Sequence, residues 1–86
     1  MKYITMFVLS GCPYCKRALG YQDELIEENP EYRGISIEII DEEEQKELAD
    51  SYDYYLVPTY YVNGQKLHEG AMEKAGVKAV LDAALS

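Results

Sequence analysis

The order of patterns along the chain predicts an α/β fold, β-α-β-α-β-β-α, with a four-stranded mixed sheet flanked by three helices. Three observations carry this prediction. An apolar run from Tyr3 to Leu9 leads into helical periodicity and then a second alternating run. That succession is a strand, a crossover helix and a parallel strand. Asn63-Gly64 separates two further strand-like stretches and is a strong hairpin signal. The chain closes on an amphipathic pattern, so helices are available for both faces of the sheet.

Taken in order, Tyr3 to Leu9 is rich in β-branched and aromatic residues and stops at Ser10-Gly11, which reads as a buried strand. Between Pro13 and Glu28, the residues Cys15, Ala18, Leu19, Gln22, Leu25 and Ile26 recur at helical spacing. Pro13 suits the first turn, and Asn29-Pro30 ends the helix. Ile35, Ile37 and Ile39 alternate with Ser36 and Glu38 and lead to Ile40, giving the second strand. Asp41 is expected to open the second helix, with Glu44 completing an acidic capping box. Glu42, Glu43 and Glu44 then form a solvated first turn favoured by the helix dipole. Leu48, Ala49 and Tyr52 are its expected buried face. Thr59 to Val62 and Gln65 to Glu69 are the hairpin strands. Val77, Val80, Leu81, Ala84 and Leu85 mark the closing helix.

With 86 residues, positions 1–86 make a single domain. A chain of this size buries roughly 60% of its unfolded surface, enough to fold alone with little margin. Its 48% hydrophobic and 28% charged content is ordinary for a globular domain. A net charge of −8 argues against nucleic acid and anionic membrane surfaces as partners. No apolar run is long enough to span a membrane. Leu9-Ser10-Gly11 before Cys12 has the form of a lipidation signal. However, eleven residues with the single Lys2 fall short of a secretory leader, and cleavage would remove the first strand. A core strand, a cytoplasmic location and a monomer are the expectations.

The two cysteines, Cys12 and Cys15, are three apart. So short a loop constrains the unfolded chain little, which disfavours a purely structural disulfide. Placed between a strand and a helix, the first cysteine lies where free N–H groups and the dipole stabilise a thiolate, the nucleophilic form. Lys16 and Arg17 follow at once and should add to that effect, together with Pro13 at the helix start. Cys15 is spaced to reach Cys12 after a mixed disulfide forms. Zinc would want four ligands, and the chain offers Cys12, Cys15 and His68, so no metal site is expected. A metal or iron–sulfur module shared between chains is the alternative from another class. His68 is expected to be a surface or partly packed residue of the second hairpin strand. Among Tyr52, Tyr54, Tyr55, Tyr60 and Tyr61, core use is expected for most, with others forming an aromatic rim near the dithiol.

Cys12-Pro13-Tyr14-Cys15 after a strand resembles the active site of dithiol glutaredoxins, and Val57-Pro58 before the hairpin resembles the cis-proline edge of the thioredoxin superfamily. The resemblance spans nearly the whole chain and implies a thioredoxin fold. It further implies that Cys12 attacks and Cys15 resolves, with Tyr14 lining the substrate groove. The Val57 backbone would pair with glutathione or an extended substrate along an edge shaped by cis-Pro58 and Thr59. The implied activity is thiol–disulfide exchange on disulfide-bearing proteins or glutathione mixed disulfides. A potential on the order of −200 to −230 mV fits that dithiol type. No tightly bound cofactor is implied. Glutathione is the implied co-substrate, with a glutathione or thioredoxin reductase as the electron source.

Some positions depart from the glutaredoxin pattern. Leu9 stands where glutaredoxins carry a glutathione-binding lysine, and His68-Glu69 or Gly70-Ala71 stands where they carry Gly-Gly. The closing GAMEKAGVKAVLDAAL resembles the end of thioredoxins instead. Yet Gly11 replaces the tryptophan thioredoxins place before the first cysteine, and Met6 replaces their buried aspartate. The alternative within the class is a thioredoxin-like redoxin reduced by a flavoprotein reductase.

Overall fold

A computed structural model describes all 86 residues. The elements are β1 (Ile4–Val8), α1 (Pro13–Glu28), a 3-10 turn (Pro30–Gly34), β2 (Ile37–Asp41), α2 (Lys46–Asp50), β3 (Thr59–Val62), β4 (Gln65–Glu69) and α3 (Lys74–Leu85). The sheet order is β2-β1-β3-β4. β1 runs parallel to β2, with Ile4 opposite Ile37 and Val8 opposite Asp41. β3 is antiparallel to both β1 and β4. This is the predicted order of elements and the predicted mixed sheet. No helix is long and apolar enough to cross a membrane.

Strand alternation sends side chains to two separate cores. Ile4, Met6 and Val8 of β1 join Tyr60 and Val62 of β3 beneath α1 and α3. Those helices supply Cys15, Ala18, Leu25, Val77, Val80, Leu81 and Ala84. On the other face Phe7, Ile40, Ala49 and Tyr61 form a smaller core, with Tyr52 and Tyr54 packed against it. Phe7 stacks on Tyr54 at 4.7 Å, and Tyr52 meets Tyr61 edge-on at 4.9 Å. Aromatic area therefore covers a sheet face that the short α2 alone would leave open.

The second helix corrects the sequence reading. It begins at Lys46, not Asp41, and is only five residues long. Asp41 is held in the β1–β2 ladder, and the next N–H, that of Glu42, bonds the Val8 carbonyl at 2.9 Å. The capping signal is real but closes a turn: the Asp41 carboxylate accepts the N–H groups of Glu43 and Glu44 at 2.9 and 3.3 Å. Leu48 is consequently 37% exposed, and Ala49 and Tyr52 carry the inward face. β2 also departs from its expected alternation. It is an edge strand with Ile40 buried and Ile39 46% exposed. Ile35 precedes the strand and packs into the larger core. No sequence signal marks the 3-10 turn after Pro30. It buries Tyr32, whose hydroxyl donates to Asp82 of α3.

Candidate active site

The site is built where β1 hands over to α1. After Val8 the chain turns, with the Cys12 N–H bonded to the Leu9 carbonyl at 3.1 Å and Gly11 at φ 86. Cys12 is the N-cap of α1 and Pro13 follows at the first helical position, where a missing N–H costs nothing. The Cys12 sulfur is itself the capping group. It accepts the Cys15 N–H at 3.2 Å, while the Lys16 N–H bonds the Cys12 carbonyl. The Cys12 sulfur thus faces a helix N-terminus, the setting in which thiolates act as nucleophiles.

Cys12 is partly exposed, whereas Cys15 is only 2% exposed and belongs to the larger core; both are free thiols. Burial pushes the Cys15 thiol up to about 12, helped by its hydrogen bond to Cys12 and opposed by the Leu9 backbone. The charges of Cys12 and Glu42 add smaller upward pushes. One thiol is presented to solvent and the other is held protonated behind it.

The Val57–Pro58 peptide is cis, as the resemblance implies. Pro58 and Thr59 are buried, and half-buried Val57 packs against both cores. Cys12 packs against the larger core as well, so the dithiol and the Val57 edge rest on shared packing. The Thr59 hydroxyl donates to the Leu56 carbonyl, and the Gly70 N–H bonds the Pro58 carbonyl at 2.8 Å. Tyr14 is 51% exposed, with the Arg17 guanidinium 6.0 Å from its ring centroid. Lys16 and Arg17 both point to solvent, and neither side chain forms an ion pair or hydrogen bond with the dithiol. His68 lies on β4, with Nε2 3.1 and 3.2 Å from the Gly70 and Ala71 carbonyls. No group of three or more His, Cys, Asp or Glu side chains is gathered as a metal would require. Of the tyrosines near Pro58, Tyr60 and Tyr61 are buried and Tyr55 is 90% exposed.

Two acidic residues matter here in ways the sequence reading missed. Glu42 is half-buried, accepts the Tyr54 hydroxyl at 2.9 Å and lies near enough to bias Cys15. The signal was available in the topology: residues that follow two neighbouring parallel strands emerge at the same end of the sheet. Glu69 binds the segment before Val57, through Tyr55 and Leu56. No local pattern announces that contact, because its partners are 13 and 14 positions away.

A thiol-capped helix behind a parallel strand, sharing a core with a cis-proline edge, defines the class of thioredoxin-fold dithiol proteins. A family model for the thioredoxin domain matches residues 2–82, and the chain belongs to that family. Its members are generally thiol–disulfide oxidoreductases. Among solved structures it is similar to the oxidised thioredoxin of Plasmodium falciparum, with TM-score 0.75 and 19% identity over 99% of this chain and 82% of the other. A mutant thioredoxin from Halobacterium salinarum gives TM-score 0.71 and 20% identity over 99% and 75% of the two chains. An uncharacterised thioredoxin-like protein from Clostridium perfringens gives TM-score 0.69 and 27% identity over 98% and 71%. No curated protein matches the chain by sequence.

Proposed function

We propose that the chain is a dithiol thiol–disulfide oxidoreductase that reduces disulfides in polypeptides. The observation that carries this reading is the asymmetry of the pair, with Cys12 partly exposed as a helix cap and Cys15 buried and protonated. In the reaction the Cys12 thiolate attacks one sulfur of the substrate disulfide. A Cys12–substrate bond forms, the substrate S–S bond breaks, and the leaving thiolate takes a proton from solvent. Cys15 then loses its proton and attacks the Cys12 sulfur, expelling the second substrate thiol. Two electrons pass to the substrate, and the chain is left with a Cys12–Cys15 disulfide that a reductant must reopen. Tyr14 and the Val57 backbone form the edge along which the substrate lies, buried Pro58 and Thr59 shape it from beneath, and Pro13 sets the helix start that supports the thiolate.

For the reductant, a flavoprotein reductase or another protein dithiol is favoured over glutathione. Leu9 offers no charge to a glutathione carboxylate, and Glu69 stands in the region where glutaredoxins carry paired glycines. A net charge of −8 further disfavours an anionic tripeptide. Glutathione as co-substrate is the second reading, supported by the Cys12-Pro13-Tyr14-Cys15 sequence and the lack of tryptophan. We place the protein in the cytoplasm as a monomer, in keeping with a dithiol that must be kept reduced.

The test is NADPH consumption with insulin as disulfide substrate, supplying thioredoxin reductase in one assay and glutathione with its reductase in another. Turnover is expected with the first. Cys12→Ser should abolish it, and Cys15→Ser should accumulate a mixed disulfide on Cys12 visible by mass. Full activity in Cys12→Ser would refute the assignment.

A further inference from the structure

The segment between α2 and β3 carries Val57 and cis-Pro58, yet its backbone has little regular pairing of its own. Its polar groups are instead held from the side by the β3–β4 hairpin. Glu69, the last residue of β4, places one carboxylate oxygen on two successive N–H groups, those of Tyr55 at 2.6 Å and Leu56 at 2.9 Å. Its other oxygen accepts the Lys66 ammonium at 2.7 Å, which also donates to the Asp53 carbonyl at 3.1 Å. The Tyr61 hydroxyl reaches the same carbonyl at 2.7 Å. Three backbone groups of residues 53–56 thus end on side chains of a single hairpin. Charge-assisted bonds to two N–H groups are the stronger kind, and a carboxylate with this many donors stays ionised. Lys66 and the two N–H groups hold the Glu69 carboxyl down at about 2.

We propose that Glu69 is a positioning residue for polypeptide substrates: by clamping Tyr55 and Leu56 it fixes the adjoining Val57 edge in the shape that receives an extended chain. This rests on the oxidoreductase reading above, in which the Val57 backbone meets the substrate. Glu69 does not touch the reacting sulfurs. Its effect therefore belongs to substrates long enough to lie along the edge and is absent for a disulfide that meets Cys12 alone. Tyr55 and Leu56 are 90% and 60% exposed, so packing holds these two residues only weakly if the carboxylate is removed.

The experiment compares Glu69→Ala and Glu69→Gln with the unsubstituted protein on two substrates, a disulfide-bonded polypeptide and the small aromatic disulfide dithionitrobenzoate. Glu69→Ala is expected to raise KM for the polypeptide about tenfold, the size of a lost charge-assisted bond. Its kcat and its rate with the small disulfide should be unchanged. Amide exchange at Tyr55 and Leu56 should accelerate by a similar factor while core amides keep their protection. Glu69→Gln keeps an acceptor oxygen without the charge and should recover part of the KM. An unchanged polypeptide KM despite faster exchange at Tyr55 and Leu56 would overturn the proposal, as would equal losses on both substrates. If the unsubstituted protein reduces the small disulfide but no polypeptide, the underlying reading fails and the proposal falls with it.

Discussion

Cys12 and Cys15 are separated by two residues and differ in burial, Cys12 partly exposed and Cys15 only 2% exposed. Cys12 caps the helix from a partly exposed position, and burial drives the Cys15 thiol up to about 12. Burial likewise pushes the Tyr54 and Tyr60 phenols up, Tyr54 with help from its bond to Glu42. These groups ionise more readily in the unfolded chain, where a thiol titrates near 9.0 and a phenol near 10.0. The unfolded state therefore loses its protons first as pH rises. Stability from these groups is complete below about pH 9 and is lost as pH climbs through the folded values. The urea midpoint is expected to hold flat from about pH 7 to 9 and then fall, more gently in Cys15→Ser. A midpoint that stays level to about pH 11 would contradict the burial described here.

At the scale of elements, the hairpin is fixed by its turn. Asn63 has φ 49 and Gly64 φ 81, the pair of left-handed residues that a two-residue hairpin demands. Gly20 is a useful contrast, since it lies inside α1 and a Cβ there meets nothing within 4 Å. Gly64→Ala is expected to destabilise by about 1–2 kcal/mol, whereas Gly20→Ala should stabilise by about 0.5–1 kcal/mol. Thermal midpoints moving in opposite directions, by about 4–8 °C per kcal/mol, are the measurement. These elements were legible because their signals are local: α1 and both hairpin strands fall on their expected boundaries. α2 was misplaced because Asp41 satisfies two demands. Its side chain caps, but its backbone belongs to β2, and the sheet wins. The exposure of Ile39 follows from β2 lying at the sheet edge, which alternation along one strand cannot reveal. In the site, the cysteines and the proline edge were legible from two short motifs. Glu42 and Glu69 were hidden because their partners come from other elements.

The whole molecule carries eight more acidic than basic residues, and Glu42, Glu43, Asp50 and Asp53 outnumber the single Lys46 in the lining of a cavity of about 590 Å³. That field acts on any charged substrate before contact, over roughly a Debye length of 8–10 Å at ordinary salt. Disulfide peptides of equal length are expected to separate by charge, a lysine-bearing one being reduced faster than a glutamate-bearing one. The difference should reside in kcat/KM, be largest at about 10 mM salt and shrink severalfold by about 0.5 M. Equal rates at low salt would show that the field does not reach the dithiol.

The capping sulfur has a consequence of its own. In the proposed reaction the attacking atom is also the atom that closes the first turn of α1, through the Cys15 N–H. When the Cys12 sulfur is held in a disulfide it is a weaker acceptor, and the helix keeps a poorer cap. In the proposed cycle each turnover is therefore written into the backbone, and the Cys15 amide is expected to report the redox state of the pair.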